Sequence, residues 1–388
     1  MKVWVLDPAQ LTPYYNIALC DALAQAGCDV RYVASRYLYD DHLPFTGRFQ
    51  TDYTYFRGLY HPWLTRLPRL RRALRAALYP LGHWQTLRQL RRAPPDVLHL
   101  QWSRVPRLDR RLIQRARAAG VPVVHTVHDV VPLYAPDADS GPLNSVYQAV
   151  DRVIVHTQAN REAFVHTYPA VDPAKIAVVP HINIPYAAMP AHAAQAQARA
   201  RLGLPADAPV FLFFGSVRAY KGLDILLAAF ARAAASRPDL HLLVAGRPEN
   251  AADADLLVRA SAQERVHVVA GYIPYADLWL YHLAADVAVL PYRAITQSGA
   301  LISCMAFGLP LIVTAVGGLP ESLDGNGWIV PSEDAEALAA ALLDAASNKE
   351  RLKRMGLRSA ALIAERYAGP AVAQQTIAVY RAAAGRAS

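Results

Sequence analysis

Two cations stand three residues apart, Arg218 and Lys221, in a turn bracketed by Gly215 and Gly222. The turn follows an apolar run, Pro209 to Phe214, and opens a helical pattern carried by Leu223, Leu226, Leu227 and Phe230. Free N–H groups at a helix start, beside two cations, suit a diphosphate, above all one that gains charge as it leaves. A second turn of the same kind lies in the stretch Arg293 to Glu321, which has no charged residue between its ends. It reads Thr296-Gln297-Ser298-Gly299, leads into an apolar helix from Ala300 to Phe307, and stops at Gly308 and Pro310. Leu311-Ile312-Val313 and a further turn at Gly317-Gly318 follow. The stretch is long enough to span a membrane, but its glycines and proline divide it into a helix, a strand and two turns. For the basic pair, the structural alternative is a solvated face.

Two further places could carry chemistry. The run Pro122 to Val127 ends in the polar pair His128-Asp129. The loop after the first apolar run contains Thr12, Tyr14 and Asn16. Open α/β sheets bind ligands at the carboxyl ends of their strands, so both places are well sited. The first loop lacks the GxGxxG pattern, so no dinucleotide fingerprint is present.

These loops hang on an alternating βα pattern. Strands are expected at Lys2–Leu6, Asp29–Val33, Val97–Leu100, Pro122–Val127, Arg152–His156 and Ile176–Val179, the last leading to Pro180-His181. A linker with a short helix fills Ile184 to Ala208. A second series begins at Pro209–Phe214 and continues at Leu240–Val244, Val266–Val269, Val287–Leu290, Leu311–Val313 and Trp328–Val330. Helices fill the gaps and close the chain. Each half reads as a doubly wound parallel sheet, with domains at 1–183 and 184–370 and a final helix within 371–388.

The chain has 388 residues, 54% of them apolar, enough for two domains with large cores. Three cysteines, Cys20, Cys28 and Cys304, show neither metal spacing nor a framework of pairs, which fits a reducing compartment. The first residues read as a strand, not a signal peptide, so the cytoplasm is expected. Net charge is +9, and residues 1–183 carry 22 Lys and Arg against 14 Asp and Glu. From Arg57 to Arg92 there are nine arginines and no acid. Leu67, Leu70, Leu74, Leu78 and Leu81 share one helical face there, with Trp63, Tyr79 and Trp84 among them. This pattern predicts either a helix lying on an anionic membrane surface or a solvated basic face. No recognition motif for nucleic acid accompanies it.

The segments FFGSVRAYKGLDILLAAF (213–230), LLVAGRP (242–248), VVAGYIPYADLWLYHLAADVAVLPY (268–292), SGALISCMAFGLPLIVTAVGGLPE (298–321) and GWIV (327–330) together resemble the group 1, or GT4, retaining glycosyltransferases. The first half adds VVHTVHDVVP (123–132), RVIVHTQANREAF (152–164) and VVPHIN (178–183). The resemblance implies the GT-B fold, two Rossmann-like domains facing a central cleft, with the last helix crossing back to the N-terminal domain. It also implies sugar transfer from a nucleotide-sugar donor with retention of configuration, the donor on the second domain and the acceptor on the first. Arg218 and Lys221 match the family's diphosphate-binding pair, and His128 its histidine near the transferred sugar. Gly215 belongs to the same donor turn, and Tyr272 and Ile273 match the segment that meets the nucleobase. Thr12, Tyr14, Asn16 and Asp129 fall on the acceptor side, with a glycan or lipid-linked glycan as the expected acceptor. No metal and no cofactor are expected. The family's two glutamates, with seven residues between them, fall on Ile295 and Ser303. The TQSG turn is a recurring variant of that motif, in which Gln297, Ser298 and Ser303 stand as substitutes and Gly299 joins the donor-binding residues. A non-catalytic nucleotide-sugar-binding protein and a sugar-nucleotide epimerase of the same fold are the alternatives.

Overall fold

A computed structural model of the chain describes residues 1–37, 47–59, 62–130, 141–184, 194–296 and 298–385. The chain divides into two compact units, Met1–Ile184 with Tyr367–Ser388, and Pro185–Arg366. Much of the expected linker, 185–193, lies outside the described residues; its short helix is Gln195–Arg201.

The first unit holds β1 (Lys2–Asp7), β2 (Asp29–Ala34), β3 (Gln50–Asp52), β4 (Val97–Leu100), β5 (Val123–Thr126), β6 (Arg152–Val155) and β7 (Ile176–Val178). They form one parallel sheet in the order β3-β2-β1-β4-β5-β6-β7. Every expected strand forms. The unexpected β3 is a three-residue edge strand, Gln50-Thr51-Asp52, with no apolar alternation to announce it. In β1, Val3 and Val5 face the helices Pro13–Gln25 and Gly369–Ala383, while Trp4 and Leu6 pack with Leu87, Leu90, Leu112 and Ile113 on the other face. Both faces are therefore covered, as a parallel sheet requires. The last helix returns to the first unit. The Tyr380 hydroxyl lies 2.7 Å from His99 Nδ1, and a Cβ on Gly369 would sit 3.3 Å from that of Ala22.

The second unit holds β8 (Val210–Phe214), β9 (His241–Gly246), β10 (Val266–Ala270), β11 (Val287–Leu290), β12 (Leu311–Thr314) and β13 (Gly327–Val330). All are parallel, in the order β10-β9-β8-β11-β12-β13. Phe211 and Phe213 pack with Leu226 and Phe230 of the helix Leu223–Ser236 and with Leu338 and Leu342 of the helix Ala335–Ala346. Strand order reverses between β1 and β4 in one sheet and between β8 and β11 in the other. Loops leaving adjacent strands to opposite sides open a crevice at such a point, the usual ligand position in open α/β sheets.

The basic stretch forms a helix from Pro68 to Arg92. It does not bury the leucine face. Its inner face is Tyr79, His83, Thr86, Leu87 and Leu90, held by a polar cluster in which the Asp109 carboxylate accepts from Tyr79 (2.8 Å) and meets His83 Nε2 (2.9 Å). Trp63, Leu67, Leu70, Leu81 and Trp84 remain exposed, and Leu74 and Leu78 are half-buried. Among the described residues no helix is long and apolar enough to cross a membrane.

Candidate functional site

In the second unit, the turn after β8 is a short 3₁₀ turn, Ala219–Lys221, closed by Gly222 in the left-handed region (φ 64°). A Cβ on Gly222 would stand 2.0 Å from the Pro291 carbonyl oxygen, so only glycine permits this approach of the β8 and β11 turns. Arg293 binds the turns together. Its N–H donates to the Tyr220 carbonyl (2.7 Å), and its guanidinium donates to the Ala219 carbonyl (2.7 Å) and to both Asp224 carboxylate oxygens (2.9 and 2.7 Å).

This frame places Lys221. Its side chain is buried, with Nζ 5.6 Å from the centre of the Tyr292 ring and 3.1 Å from where a Cβ on Gly215 would stand. The same Gly215 position is 3.9 Å from Ala300 Cβ, so the ammonium, the Gly215 backbone and the start of the helix Gly299–Ala306 converge. Among the described residues the ammonium makes neither a hydrogen bond nor an ion pair, and the one acid whose charge reaches it is Glu249. Burial, and then the Arg218 charge, push its pKa down to about 8. It still carries its proton at neutral pH, at a desolvation cost that an arriving anion would offset. Arg218 Nη2 stands 3.6 Å from Glu249 Oε2, and its Nε is buried without an acceptor. Both basic residues therefore have donor capacity to spare.

Ser298 is the N-cap of the helix Gly299–Ala306, its Oγ accepting from the Leu301 N–H (3.2 Å). Gly299 is exposed at the helix start, and a Cβ there would meet nothing within 4 Å. Gln297 lies outside the described residues. Ile295 turns its carbonyl onto Gly317, where a Cβ would stand 2.0 Å from that oxygen, so the two glycine turns touch. Ser303 is committed elsewhere. His282 Nδ1–H donates to the Leu278 carbonyl (2.7 Å), so its Nε2 accepts, and Ser303 Oγ donates to it (2.9 Å). Ser303 is buried, and burial pushes the His282 pKa down to about 4. Tyr272 and Ile273 follow β10 at the same sheet edge, the first exposed and the second half-buried.

In the first unit, His128 sits just beyond β5 and is buried. Its Nε2 lies 3.0 Å from Gln101 Oε1, and an amide oxygen only accepts, so Nε2 carries the proton and Nδ1 keeps its lone pair. The ring stacks on Trp102 (centroids 5.0 Å, 17°), whose Nε1 donates to Thr12 Oγ1 (3.0 Å). Loops after β1, β4 and β5 thus meet at the strand-order reversal. Tyr15 meets His128, His156 and His181 edge-on, at 4.8, 5.5 and 4.9 Å between centroids. Burial, then the neighbouring histidines, hold the His128 pKa well below its ordinary value; burial likewise takes His156 to about 4 and His181 to about 3.

Of the other first-unit candidates, Thr12 and Tyr14 are half-buried beside this group and Asp129 is half-buried next to His128. Asn16 is fully buried, donating from Nδ2 to Asp7 Oδ2 (2.8 Å) and the Tyr32 hydroxyl (3.1 Å). It braces the β1 loop from beneath, with its Oδ1 buried and unpartnered among the described residues. Gln101, Trp102, Tyr15, His156, His181, Arg293 and His282 gain their roles here from the structure and not from sequence pattern. A common signal was available for some of them, since Gln101, Trp102, His156 and His181 all fall just past the carboxyl ends of strands.

The fold and these two sites define a GT-B protein, two parallel-sheet units each with polar groups gathered at the reversal of strand order. Family models for "Glycosyltransferase Family 4" and "Glycosyl transferases group 1" match residues 14–182 and 208–348. The chain belongs to this glycosyltransferase family. It is 31% identical over 292 residues to a D-inositol 3-phosphate glycosyltransferase of Kineococcus radiotolerans, covering 68% of this chain and 66% of that one. A Streptomyces scabiei protein of the same name is 34% identical over 286 residues, covering 68% and 63%. The matches thus span just under two-thirds of these relatives' length. Among solved structures, sucrose-phosphate synthase from Thermosynechococcus elongatus superposes with a TM-score of 0.70 at 23% identity, over 98% of both chains. Anabaena HepE in complex with UDP-glucose superposes with a TM-score of 0.73 at 15% identity, over 97% of this chain and 98% of that one. At these identities the likeness is one of fold.

Proposed function

We propose that the protein transfers a sugar from a nucleotide-sugar donor to a glycan or lipid-linked glycan acceptor, with retention of configuration. The observation that carries this is the buried Lys221 ammonium, unpartnered among the described residues, beside Gly215 and the opening turn of the helix Gly299–Ala306. As the bond from the sugar to the diphosphate breaks, negative charge grows on the leaving phosphate. Lys221, Arg218 and the N–H groups around Ser298 and Gly299 are charge and dipole fixed beforehand where that charge develops. Two protein cations fill the role that a divalent metal plays elsewhere, so no metal is expected in the reaction. Tyr272 and Ile273 meet the nucleobase. A protein of similar fold, HepE, is solved with UDP-glucose, which supports this donor class.

In the first unit His128, with Thr12, Tyr14 and Asp129 nearby, serves the sugar end and the acceptor. Its Nδ1 lone pair can accept from a sugar hydroxyl, while Gln101 holds the opposite nitrogen. The exposed apolar residues along the arginine-rich helix favour work at the cytoplasmic face of a membrane and a lipid-linked acceptor. A thermal-shift panel of nucleotide sugars, followed by product analysis with the stabilising donor, tests the reading. A specific donor should raise the melting temperature and be consumed only when an acceptor or water takes its sugar. Stabilisation by no nucleotide sugar, or interconversion of the sugar on the intact donor, would overturn it.

A further inference from the structure

The helices Pro68–Arg92 and Pro106–Ala118 both run antiparallel to the strands they cover, so their last turns lie at the amino edge of the first sheet. That is the edge opposite His128. Between these last turns is a cavity of about 540 Å3 lined by Trp84, Leu87, Arg88, Arg91, Arg92 and Arg115. Among the described residues no carboxylate lines it. The acids that flank the two last turns in sequence are engaged elsewhere: Asp96 accepts from the Lys2 N–H (2.8 Å), and Asp109 faces inward to His83 and Tyr79. Among the described residues none of the four arginines has an ion-pair partner. The Arg88 guanidinium lies over the Trp84 ring, 5.5 Å from its centre.

Attraction to helix carbonyls accounts for cations in the last turn of each helix taken separately. It does not account for two such ends opening on one cavity with no acid between them, nor for Arg88, a turn earlier. Four guanidinium groups supply N–H donors only, in forks that match phosphate oxygens two at a time. All four side chains are exposed, so water and salt screen their mutual repulsion, and an anion held between them would lower it further. We propose that this cavity is a second anion site, which takes a phosphate-bearing ligand of two or more negative charges, with the Trp84 ring and Leu87 as its apolar wall. It is separate from the Lys221 site, which lies in the other unit.

The test uses the full chain with Lys221→Ala, so that binding at the proposed donor site does not contribute. Inorganic pyrophosphate is titrated by calorimetry at two salt concentrations, with and without the added changes Arg88→Gln and Arg115→Gln. The expected result is salt-sensitive binding that the two glutamines weaken at least tenfold, with unchanged thermal stability showing an intact fold. Co-sedimentation with vesicles containing phosphatidic acid, against neutral phosphatidylcholine, distinguishes the source. Loss of vesicle binding in the Arg88→Gln, Arg115→Gln protein marks a lipid headgroup, whereas an effect confined to pyrophosphate marks a soluble ligand. Pyrophosphate and vesicle binding both insensitive to the arginine changes, or absent from the start, would overturn the proposal. That result would leave the donor assignment standing, since it is tested by Lys221 and Arg218 in the other unit.

Discussion

Gln101 accepts through Oε1 from Nε2 of His128 at 3.0 Å, and this contact fixes which nitrogen of the buried ring is free. If Nδ1 meets the transferred sugar, His128→Ala lowers turnover much more than it weakens binding of the bare nucleotide. Gln101→Glu replaces a neutral acceptor with a carboxylate and favours the imidazolium. The acid limb of the rate profile should then move to higher pH. Equal losses of nucleotide affinity and turnover in His128→Ala would place the ring away from the sugar.

Lys221→Ala and Arg218→Ala should each reduce transfer strongly while the protein stays folded. Loss of one well-placed donor at a leaving phosphate is worth roughly 2–4 kcal/mol. Lys221→Met separates the two consequences of burial. It removes a desolvated cation with no partner among the described residues, so the ligand-free protein should melt no lower than wild type while activity collapses. Near-normal turnover in the alanine variants would sink the donor-site assignment.

The sequence resemblance sets Ser303 against the family's second glutamate, yet its hydroxyl donates inward to His282. Ser303→Ala leaves the buried His282 Nε2 without a donor, which costs about 1–3 kcal/mol of stability. Donor affinity should change little. Denaturant melts and nucleotide binding, measured side by side, check this. A large loss of donor affinity at unchanged stability would restore the serine to the ligand.

Acid should destabilise the first unit through its buried histidines. Burial depresses His99 and His181 to about 3 and His125 and His156 to about 4, against about 6.5 unfolded. Over that window the unfolded chain binds more protons, so stability is full above about 6.5 and is lost as pH falls towards the folded values. Asp7, raised to about 6 by burial, opposes this between about 3.8 and 6, but it is one group against several. Melting temperature should fall steadily from pH 7 to 4. A flat profile would mean the histidines take up protons in place.

The exposed Trp63, Leu67, Leu70, Leu81 and Trp84 lie among nine arginines with no acid between Arg57 and Arg92. Each cation near an anionic leaflet contributes about 1 kcal/mol, and salt screens it. Arg69→Gln, Arg72→Gln and Arg75→Gln together should lower co-sedimentation with anionic vesicles without altering donor hydrolysis. Equal absence of binding to neutral and anionic vesicles would leave a solvated face and favour a soluble acceptor.

The two parallel sheets were legible in the sequence because strands buried on both faces are continuous apolar runs with turn residues at their ends, as in Val210–Phe214 and Val287–Leu290. Lys221 and Arg218 were legible for a similar reason, since glycines bracket them directly after such a run. The edge strand β3 carried no such signal, because an edge needs little apolar burial. Three features depended on tertiary structure. Helical periodicity singled out the leucines of 67–81 as the apolar face, but the Asp109 cluster favours burying Tyr79 and His83 and leaves three of those leucines in water. The lowered pKa of Lys221 depends on burial beneath the β11 turn, which Arg293 ties down across about seventy residues of sequence. The tautomer of His128 depends on Gln101, on a neighbouring strand's loop, and the inward turn of Ser303 on His282. Local pattern reports which backbone a segment adopts. Which side chains lose water, and which partner each one meets, is decided by segments distant in the chain that packing brings together.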